Sequence, residues 1–298
     1  MKIKPLVVDI KRNALDDGPG IRTLIFFKGC PLSCVWCQNP EAKSPTKELY
    51  FDRDKCIECE MCLTRCEQNA IDFEYEYRIH RNLCNLCGAC INICPNDALK
   101  FVGKEYSIDD LIKIILKDKV FFDNSNGGVT LSGGEPLYNI DYIHDLLIKL
   151  KKNKIHTCIE TCGLYNRSKF NELILPYIDL IYFDLKIFNP ELHNQYCQVS
   201  NQKILKNFED LVKKNKELLP RIPLIPNITD THQNLTDLAK YLKSLNIKTI
   251  GLLPYNPLWI SKSEKIGIKP IYNYSRWLNK DEKKKIKLIF SGFEFKDF

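Results

Sequence analysis

Residues 29–41 read GCPLSCVWCQNPE, and this stretch decides the fold expected of the 298-residue chain. It spaces three cysteines, Cys30, Cys34 and Cys37, as Cys-x3-Cys-x2-Cys. A cubane [4Fe-4S] cluster normally takes four cysteine thiolates, so a loop that supplies three leaves one iron open to a substrate. A zinc site is the alternative, but structural zinc sites use four ligands in paired spacings, and no fourth ligand is local here. The stretch therefore predicts an iron-sulfur cluster with one open iron.

Eight more of the fourteen cysteines form two runs with ferredoxin-like spacing. The runs belong to an internal repeat between about Phe51 and Val102, in which CIECEMCLTRCEQNAIDF matches CNLCGACINICPNDALKF. In two-cluster ferredoxins the fourth cysteine of each run binds the other cluster. We therefore expect one auxiliary cluster on Cys56, Cys59, Cys62 and Cys94, and a second on Cys84, Cys87, Cys90 and Cys66. The three scattered cysteines are expected to be buried thiols: Cys158, Cys162 and Cys197.

The composition indicates a cytoplasmic protein. Its hydrophobic content of 44% is ordinary for a globular chain. The N-terminal apolar run is too short for a signal peptide, and no stretch of about eighteen apolar residues could cross a membrane. In a reducing compartment, closely spaced cysteines bind metal rather than pair as disulfides. We expect oxygen sensitivity, and hence anaerobic function, with no membrane partner.

The net charge of +7 comes from lysines spread through the expected helices, such as Lys149, Lys151 and Lys152. Charges spread in this way usually form a solvated surface, and contact with an acidic protein partner is the alternative. Nucleic-acid binding needs a basic face interleaved with aromatic residues or a known module, and the sequence offers neither. We therefore expect no nucleic-acid partner.

Six apolar runs are expected to be strands, separated by amphipathic helical segments. They are RTLIFF at 22–27, GVTLSGGEP at 128–136, IHTCIETCG at 155–163, IDLIYFDLK at 178–186, LLPRIPLIPN at 218–227 and KTIGLLPYN at 248–256. Repeated strand and helix with short links predict parallel pairing. Six units are too few for an eight-strand barrel, so we expect a partial (β/α)6 TIM-like barrel with its active site at the carboxyl ends of the strands. Pro220, Pro223 and Pro226 remove ladder donors, which predicts an edge or bulged position for the fifth run.

The fold class is therefore α/β, with an inserted α+β domain that resembles a two-[4Fe-4S] ferredoxin. Residues 1–46 form the first part of the core with the cluster loop, and residues 47–103 form the insertion. Residues 104–298 complete the partial barrel and add a C-terminal extension. The end of this extension, at 275–295, predicts a helix and a strand without an assigned function.

The sequence SGGEP, from Ser132 to Pro136, follows the second apolar run. A glycine turn there could be only a tight connection. Beside the three-cysteine loop, however, it is similar to the GGEP motif of the radical S-adenosylmethionine superfamily. The resemblance implies that the methionine moiety of S-adenosylmethionine chelates the open iron, and that the SGGEP backbone and Glu135 bind its ammonium group.

A narrower resemblance rests on DGPGIR at 17–22, FFKGCPLSCVWCQNPE at 26–41, FDLK at 183–186 and LLPYN at 252–256. Together with SGGEP and the ferredoxin repeats, these motifs resemble the activating enzymes of glycyl radical enzymes, in the subgroup with an inserted ferredoxin domain. This implies that a 5′-deoxyadenosyl radical abstracts a hydrogen atom from one glycine of a partner enzyme, which then carries the radical. Two alternatives stay open: a radical S-adenosylmethionine enzyme acting on a small molecule or another peptide, and an iron-sulfur electron-transfer protein.

The same resemblance implies roles for individual residues. The catalytic group would be Cys30, Cys34, Cys37 and Lys186. The cofactor-binding residues would be Trp36, Gly133, Gly134, Glu135, Glu160, Asp184, Lys186, Arg221 and Asn256. A surface ion pair is the alternative for Asp184 and Lys186. Contacts to the partner's glycine loop would come from Asp17, Gly18 and Arg22, unless the glycine only shapes the turn.

The implied cofactors are S-adenosylmethionine and three [4Fe-4S] clusters, one catalytic and two auxiliary. The resemblance also implies a possible monovalent-cation site at Glu160 and Asp184. The auxiliary clusters would carry electrons from an external low-potential donor such as flavodoxin or ferredoxin, or the insertion would only shape the surface that meets the partner. We expect a monomer that acts on a glycyl radical enzyme, and the sequence does not specify which one.

Overall fold

The computed structural model describes residues 4–296, so the outermost positions of the predicted segments 1–46 and 104–298 lie outside it. The strands within these residues are β1 (Leu6–Ala14), β2 (Arg22–Phe27), β3 (Glu48–Phe51), β4 (Leu99–Val102), β5 (Lys104–Glu105), β6 (Gly128–Gly133), β7 (His156–Thr161), β8 (Leu180–Asp184), β9 (Leu218–Leu224), β10 (Thr249–Pro254) and β11 (Glu294–Lys296). The large sheet has the order β11-β10-β9-β8-β7-β6-β2-β1-β5, and β3 pairs with β4 in a second sheet.

The α-helices of the described chain are α1 (Met61–Arg65), α2 (Ala89–Ile93), α3 (Ile108–Leu116), α4 (Lys119–Ser125), α5 (Ile140–Lys152), α6 (Arg167–Lys169), α7 (Pro190–Cys197), α8 (Gln202–Lys213), α9 (His232–Ser244), α10 (Trp259–Lys265) and α11 (Lys280–Ile289). The longer ones are amphipathic and bury one face on the sheet, as Leu146 of α5, Phe208 of α8 and Leu238 of α9 show. No helix within residues 4–296 is long and apolar enough to cross a bilayer.

The centre of the large sheet is a row of six parallel strands, β2, β6, β7, β8, β9 and β10. These are the six apolar runs of the sequence, and the expected partial barrel is confirmed. β11 adds a further parallel strand at one edge, and β1 lies antiparallel to β2 toward the other edge. Because the six central strands run in one direction, their carboxyl ends meet at one side of the sheet.

The expectation that the fifth run is an edge or bulged strand is wrong. β9 lies inside the sheet, with Pro220 in register with β8 and Pro223 in register with β10. Consecutive residues of a parallel strand direct their N–H groups to opposite neighbours, so these two prolines remove one donor on each side. The Arg221 carbonyl between them still accepts from Leu185 N across 2.8 Å, and pairing with both neighbours is retained.

The cysteine-rich insertion is built on the antiparallel pair of β3 and β4. Its two short helices, α1 and α2, each contain the third cysteine of a run, and each follows a residue in the left-handed region, Glu60 (φ 59°) and Gly88 (φ 82°). The structural repeat thus follows the sequence repeat. The segment boundaries at 46 and 103 stay predictions.

Candidate active site

A cavity of about 1100 Å³ opens at the carboxyl ends of the parallel strands. Its walls come from the loop after β2 and from the ends of β6, β7, β8 and β9. Most of the residues expected from the sequence line it: Asp17, Cys30, Cys34, Trp36, Cys37, Gly133, Gly134, Glu160, Asp184, Lys186 and Arg221. The parallel sheet therefore brings together residues that are far apart in the chain.

The three-cysteine loop is fixed on both sides by backbone hydrogen bonds. On one side, Cys30 N donates to Lys43 O across 3.0 Å. On the other, Ser33 N donates to the carbonyl of Cys197, the last residue of α7, across 2.9 Å. Cys34 is buried. The fold thus holds the loop in place through its main chain, and the thiols are left to bind a cofactor.

The donor set of this loop fits an iron-sulfur cluster. Burial raises the pKa of the Cys37 thiol to about 12, and the thiols of Cys34 and Cys30 add to the rise. Deprotonating the Cys37 thiol is therefore costly unless a metal cluster balances its charge. No three His, Cys, Asp or Glu side chains of residues 4–296 close around a single metal ion. All three thiols nevertheless line one cavity.

The SGGEP turn packs directly against the base of the cysteine loop. Glu135 N donates to Gly29 O across 2.8 Å. A Cβ on Gly134 would lie 2.5 Å from the backbone oxygens of Ala42 and Gly29, closer than any side chain can approach. Gly133 has a φ of +112°, which L-residues rarely adopt. Only glycine fits both positions, so the turn presents bare backbone at the cavity wall.

Glu135 itself turns away from the cavity. Its side chain is 1% exposed and accepts hydrogen bonds from Cys162 N (2.7 Å), Thr161 Oγ1 (3.0 Å) and Leu137 N (3.1 Å). The expected contact between this carboxylate and the ammonium of S-adenosylmethionine is therefore not supported by its position. Glu135 instead fixes the end of β7 against the SGGEP turn, and burial raises its pKa.

A row of charged side chains crosses the cavity at the strand ends. Ser132 Oγ donates to Glu160 Oε2 (2.5 Å), and Arg221 Nη1 donates to Glu160 Oε1. Arg221 Nε donates to Asp184 Oδ1 (2.9 Å), and Lys186 Nζ donates to Asp184 Oδ2 (3.1 Å). Asp184 and Lys186 are thus part of a cavity network rather than a surface ion pair. Two carboxylates and two cations alternate along the ends of β7, β8 and β9.

The network keeps Asp184, Arg221 and Lys186 charged. Burial alone would raise the pKa of Asp184, but Arg221 and Lys186 outweigh it and hold this pKa below its usual value. Burial alone would lower the pKa of Arg221 and of Lys186. Asp184 and Glu160 outweigh it at Arg221, and Asp184 with the nearby cysteines outweighs it at Lys186, so both pKa values are raised. The guanidinium of Arg221 lies between Glu160 and Asp184, the two carboxylates at which a monovalent-cation site was expected.

Asp17 lies at the edge of the cavity, in the segment expected to meet a partner. Burial raises the pKa of its carboxyl group to about 6, the charge of Glu160 adds to the rise, and Arg221 opposes it. Asp17 also anchors the segment, because its carbonyl accepts from Thr130 Oγ1 across 2.6 Å.

Arg22 does not take the role expected for it. Its side chain is fully buried and donates to Thr130 Oγ1 (2.7 Å), Val129 O (2.7 Å) and Pro19 O (3.0 Å). A buried guanidinium with these partners cannot reach a glycine loop of another protein. Arg22 instead shapes the turn, and its side chain fills the space that a Cβ on Gly18 would enter.

Asn256 also lies outside the cavity, where its Oδ1 accepts from Leu258 N across 2.9 Å. Conversely, Cys162 was expected only to be a buried thiol, and it does line the cavity. Its thiol contacts the thiol of Cys30, and this contact raises the pKa of Cys162. The GGEP-like and cysteine motifs gave no signal for it, because its place depends on the pairing of β6 with β7.

The eight cysteines of the insertion line two separate cavities. One, of about 390 Å³, is lined by Cys56, Cys59, Cys62 and Cys94. The other, of about 360 Å³, is lined by Cys66, Cys84, Cys87 and Cys90. Each cavity thus takes three cysteines from one run and the fourth from the other run, which is the arrangement that a pair of cubanes requires.

The insertion and the cysteine loop are both held by α10. Lys262 Nζ lies 3.2 Å from the carbonyl of Gln38 and 3.2 Å from Glu41 Oε1, both beside the loop. Lys265 Nζ lies 3.0 Å from Asp52 Oδ1 in the insertion. Arg81 of the insertion donates in return to the carbonyl at the end of α10, from Nη2 to Lys265 O across 3.4 Å. One short helix therefore contacts both parts of the molecule that carry cysteine clusters.

Comparisons with known proteins agree with this architecture. The family model for the radical SAM superfamily matches residues 79–239, and the model for a 4Fe-4S dicluster domain matches residues 55–98. The chain is 37% identical to the trans-4-hydroxy-L-proline dehydratase activating enzyme of Clostridioides difficile, over 98% of each chain. It is 39% identical to the (2S)-3-sulfopropanediol dehydratase activating enzyme of Klebsiella oxytoca, over 88% of this chain and 86% of that protein.

Among solved structures, SuiB of Streptococcus suis is similar with a TM-score of 0.51 and 17% identity, covering 65% of this chain and 43% of SuiB, a likeness that concerns the fold alone. The curated relatives match across almost the whole chain, including both the partial barrel and the insertion. The resemblance that the motifs suggested is thereby confirmed. The chain belongs to the radical S-adenosylmethionine superfamily and, within it, to the glycyl radical enzyme activating enzymes that carry a 4Fe-4S dicluster domain.

Proposed function

We propose that the cavity at the strand ends is the place where this activating enzyme cleaves S-adenosylmethionine and directs the radical to a glycine of its partner. The observation that carries the proposal is that three cysteine thiols and the bare SGGEP backbone line the same cavity. When bound there, a [4Fe-4S] cluster supplies the electron that breaks a carbon-sulfur bond of the sulfonium and releases a 5′-deoxyadenosyl radical. The chain's own residues bind the nucleotide, orient it and exclude water.

The bare backbone is proposed to bind the ammonium group of the methionine moiety, and the charged row is proposed to bind its carboxylate. The backbone at Gly133 and Gly134 is uncovered, so its carbonyl oxygens can accept from an ammonium group. Lys186 spends one N–H on Asp184, which leaves two donors for a carboxylate. Arg221 donates to both Glu160 and Asp184, and the role assigned to it is to keep these carboxylates in place. A monovalent cation is not needed between them.

The apolar wall of the cavity protects the radical. Trp36 is 3% exposed, and Leu32 beside it is 2% exposed. Both line the cavity together with Leu253 of β10. Water is kept away from the reacting atoms in such a site, which suppresses loss of the radical to side reactions.

Asp17 is proposed to meet the partner's glycine loop at the mouth of this cavity. Its carboxyl group lines the cavity, while the chain around it is fixed from behind by Arg22. A carboxyl group with a pKa near 6 can accept from a backbone N–H when ionised and donate to a carbonyl when protonated. We also propose a monomer as the active unit.

The insertion is proposed to carry two auxiliary [4Fe-4S] clusters, on the cysteine sets that line its two cavities. Cys59 and Cys87 are exposed, so each cavity is close to the surface. This suits electron entry from an external low-potential donor such as flavodoxin or ferredoxin. Cys94→Ala should therefore remove the cluster of the first cavity and lower the iron content by about four atoms of about twelve. The buried Cys158, outside all three sets, is the control: Cys158→Ala should keep the full iron content.

The catalytic proposal is tested with anaerobically reconstituted protein. Dithionite and S-adenosylmethionine should yield 5′-deoxyadenosine, and Cys34→Ala should yield none. Addition of the glycyl radical enzyme encoded beside this chain should give a doublet radical signal with glycine Cα–H coupling. Full clusters without 5′-deoxyadenosine would refute the assignment of the cavity. Formation of 5′-deoxyadenosine with no radical on any neighbouring glycyl radical enzyme would refute the assigned partner.

A further inference from the structure

Arg78 lies against the first auxiliary cavity with donors to spare. Its side chain is 3% exposed and lines the cavity that Cys56, Cys59, Cys62 and Cys94 also line. Its Nη2 donates to Glu58 Oε1 across 3.1 Å. Within the described chain, its Nε and Nη1 are buried without a hydrogen-bond partner. An arginine side chain is always protonated, and buried donors without acceptors are costly, so the cavity is expected to supply acceptors.

The guanidinium is held in this place from several directions. Its Cζ lies 3.7 Å from the centre of the Phe73 ring and 5.5 Å from the centre of the Phe51 ring. The Arg78 backbone has a φ of +62°, a left-handed value that is unusual for a bulky residue. Its carbonyl accepts from Asp72 N across 2.9 Å, which fixes the strained backbone. The side chain therefore cannot simply turn outward to find water.

Protein carboxylates do not balance this buried charge well. The partner of Arg78, Glu58, is 69% exposed, and water screens an ion pair with such a group. Glu60 also lines the cavity, and it is exposed as well. A cubane with four thiolates carries net negative charge, and its sulfur atoms accept hydrogen bonds. It would satisfy both the charge and the two spare donors of Arg78.

The second auxiliary cavity has no counterpart of Arg78. Apart from its cysteines, it is lined by apolar residues, glycine and neutral amides, including Gln68 and Asn85. The two cavities are alike in volume, about 390 and 360 Å³. The internal repeat places Tyr50 six positions before Cys56, as Arg78 stands six positions before Cys84. The repeat therefore supplies a buried cation to one cavity and a neutral residue at the matching position.

We infer that Arg78 donates N–H···S hydrogen bonds to the cluster on Cys56, Cys59, Cys62 and Cys94, and that it raises the reduction potential of this cluster above that of the other auxiliary cluster. The inference rests on the proposed ligand sets. Reduction adds one electron to the cluster, and a nearby buried guanidinium stabilises the more negative product. An electron that enters the insertion therefore rests on the first auxiliary cluster.

The test is potentiometry followed by electron paramagnetic resonance on the holoprotein with all clusters reconstituted. Wild-type protein should show two separate auxiliary reduction steps. Arg78→Gln should lower the higher of the two auxiliary reduction potentials by at least about 59 mV, which for one electron is a tenfold change in the equilibrium constant. Arg78→Lys keeps the charge but loses the planar fork, so its shift should be smaller. Arg53→Gln is the matched control, because Arg53 is an exposed arginine of the insertion outside both cluster cavities.

Several results would overturn the inference. One is an unchanged higher step in Arg78→Gln, and another is an equal shift in Arg53→Gln. If Arg78→Gln loses iron, Arg78→Lys is measured instead. If both variants lose iron, the order of the two auxiliary potentials in the wild-type protein is the test. Cys59→Ser and Cys87→Ser show which reduction step belongs to which cluster. A lower potential for the first cluster than for the second refutes the inference. Normal auxiliary potentials without 5′-deoxyadenosine would count against the proposed function and leave this inference intact.

Discussion

Arg221 on β9 donates from Nε to Oδ1 of Asp184 at the end of β8, across 2.9 Å. Its Nη1 donates to Glu160 on β7, and Asp184 also accepts from Lys186. The side chains of Arg221 and Asp184 are only 11% and 21% exposed. One guanidinium therefore links the ends of three adjacent strands at the floor of the cavity, where the methionine moiety is proposed to bind.

Asp184→Asn should weaken both this link and the cleavage of S-adenosylmethionine. The amide keeps the shape of the side chain but removes the charge that faces Arg221 and Lys186. Hydrogen bonds to charged groups contribute about 1.5–3 kcal/mol, so the yield of 5′-deoxyadenosine should fall by about tenfold or more. The measurement is the initial rate of 5′-deoxyadenosine formation at fixed dithionite, with iron content confirmed for each sample.

Asp123→Asn is the matched control for this prediction. Asp123 pairs with Lys119 on the surface of α4, at 2.7 Å and with its side chain 59% exposed. Exposed pairs contribute about 0–1 kcal/mol, so this variant should cleave S-adenosylmethionine at the wild-type rate. Equal rates in Asp184→Asn and wild type would show that the charged row is not part of the binding site.

The half-buried carboxyl group of Asp17 should make stability depend on pH. Burial raises its folded-state pKa to about 6, above the value of an unfolded aspartate. Its contribution to stability is therefore complete below the unfolded pKa and is lost as the pH rises through about 6. Between about pH 5 and pH 7, the melting temperature of the wild type should fall relative to that of Asp17→Asn. Anaerobic thermal denaturation across this range gives the difference curve.

The exposed neighbour Asp16 supplies the control for the Asp17 curve. The difference between the wild type and Asp16→Asn should stay flat over the same range. A flat curve for Asp17→Asn as well would mean that Asp17 is solvated in the folded protein, and its proposed place at the cavity mouth would be wrong.

Local sequence signals were sufficient to predict the six central strands, but not the interior position of β9. Each of the six parallel strands is an apolar run that ends in, or is directly followed by, glycine, proline or a polar residue, and such runs predict buried strands. β1 gave no such signal, because its apolar and charged residues follow no regular pattern. Its position in the sheet comes from antiparallel pairing with β2. α7 has no apolar stripe, but Asn189 followed by Pro190 is a helix start that the sequence does contain.

The site was predictable where chemistry depends on spacing and not where it depends on long-range packing. The cysteine runs and the glycine turn are local patterns, and the fold brings them into one cavity as expected. The side-chain directions of Arg22, Glu135 and Asn256 are set by partners elsewhere in the fold, and each was expected to face a ligand. Arg78 was missed for the same reason, since its burial depends on aromatic rings from other parts of the insertion.

Gly134→Ala should disrupt the contact between the SGGEP turn and the cysteine loop. The added Cβ would lie 2.5 Å from Ala42 O and Gly29 O, so the backbone on one side has to move. We expect loss of S-adenosylmethionine cleavage and reduced iron at the three-cysteine loop, while the auxiliary clusters are kept. Gly292→Ala adds a Cβ with nothing within 4 Å, and its left-handed φ of +86° costs only about 1–2 kcal/mol. Wild-type cleavage by Gly134→Ala would show that the turn tolerates a side chain.

The contacts of α10 connect the cysteine loop to the insertion. Lys262 lies 3.2 Å from Glu41 beside the loop, and Lys265 lies 3.0 Å from Asp52 in the insertion. The lysine side chains are 40% and 23% exposed, so each pair contributes at most about 1 kcal/mol. Replacing both with alanine should therefore leave the fold intact but increase amide hydrogen exchange by up to about fivefold near residues 38–43 and 52–56.

The exposed Lys269 lies four positions beyond Lys265, and Lys269→Ala should change neither segment. Unchanged exchange in the double alanine variant would mean that other contacts fix the insertion, such as those of Arg81 with the Lys265 carbonyl and of Lys28 with Glu48. Faster exchange in both segments would show that the two lysines couple them. Neither lysine lines a cavity that contains a cysteine set. Such coupling would therefore mean that residues in the C-terminal third of the chain, outside every cluster-binding motif, control the distance between the catalytic and auxiliary clusters.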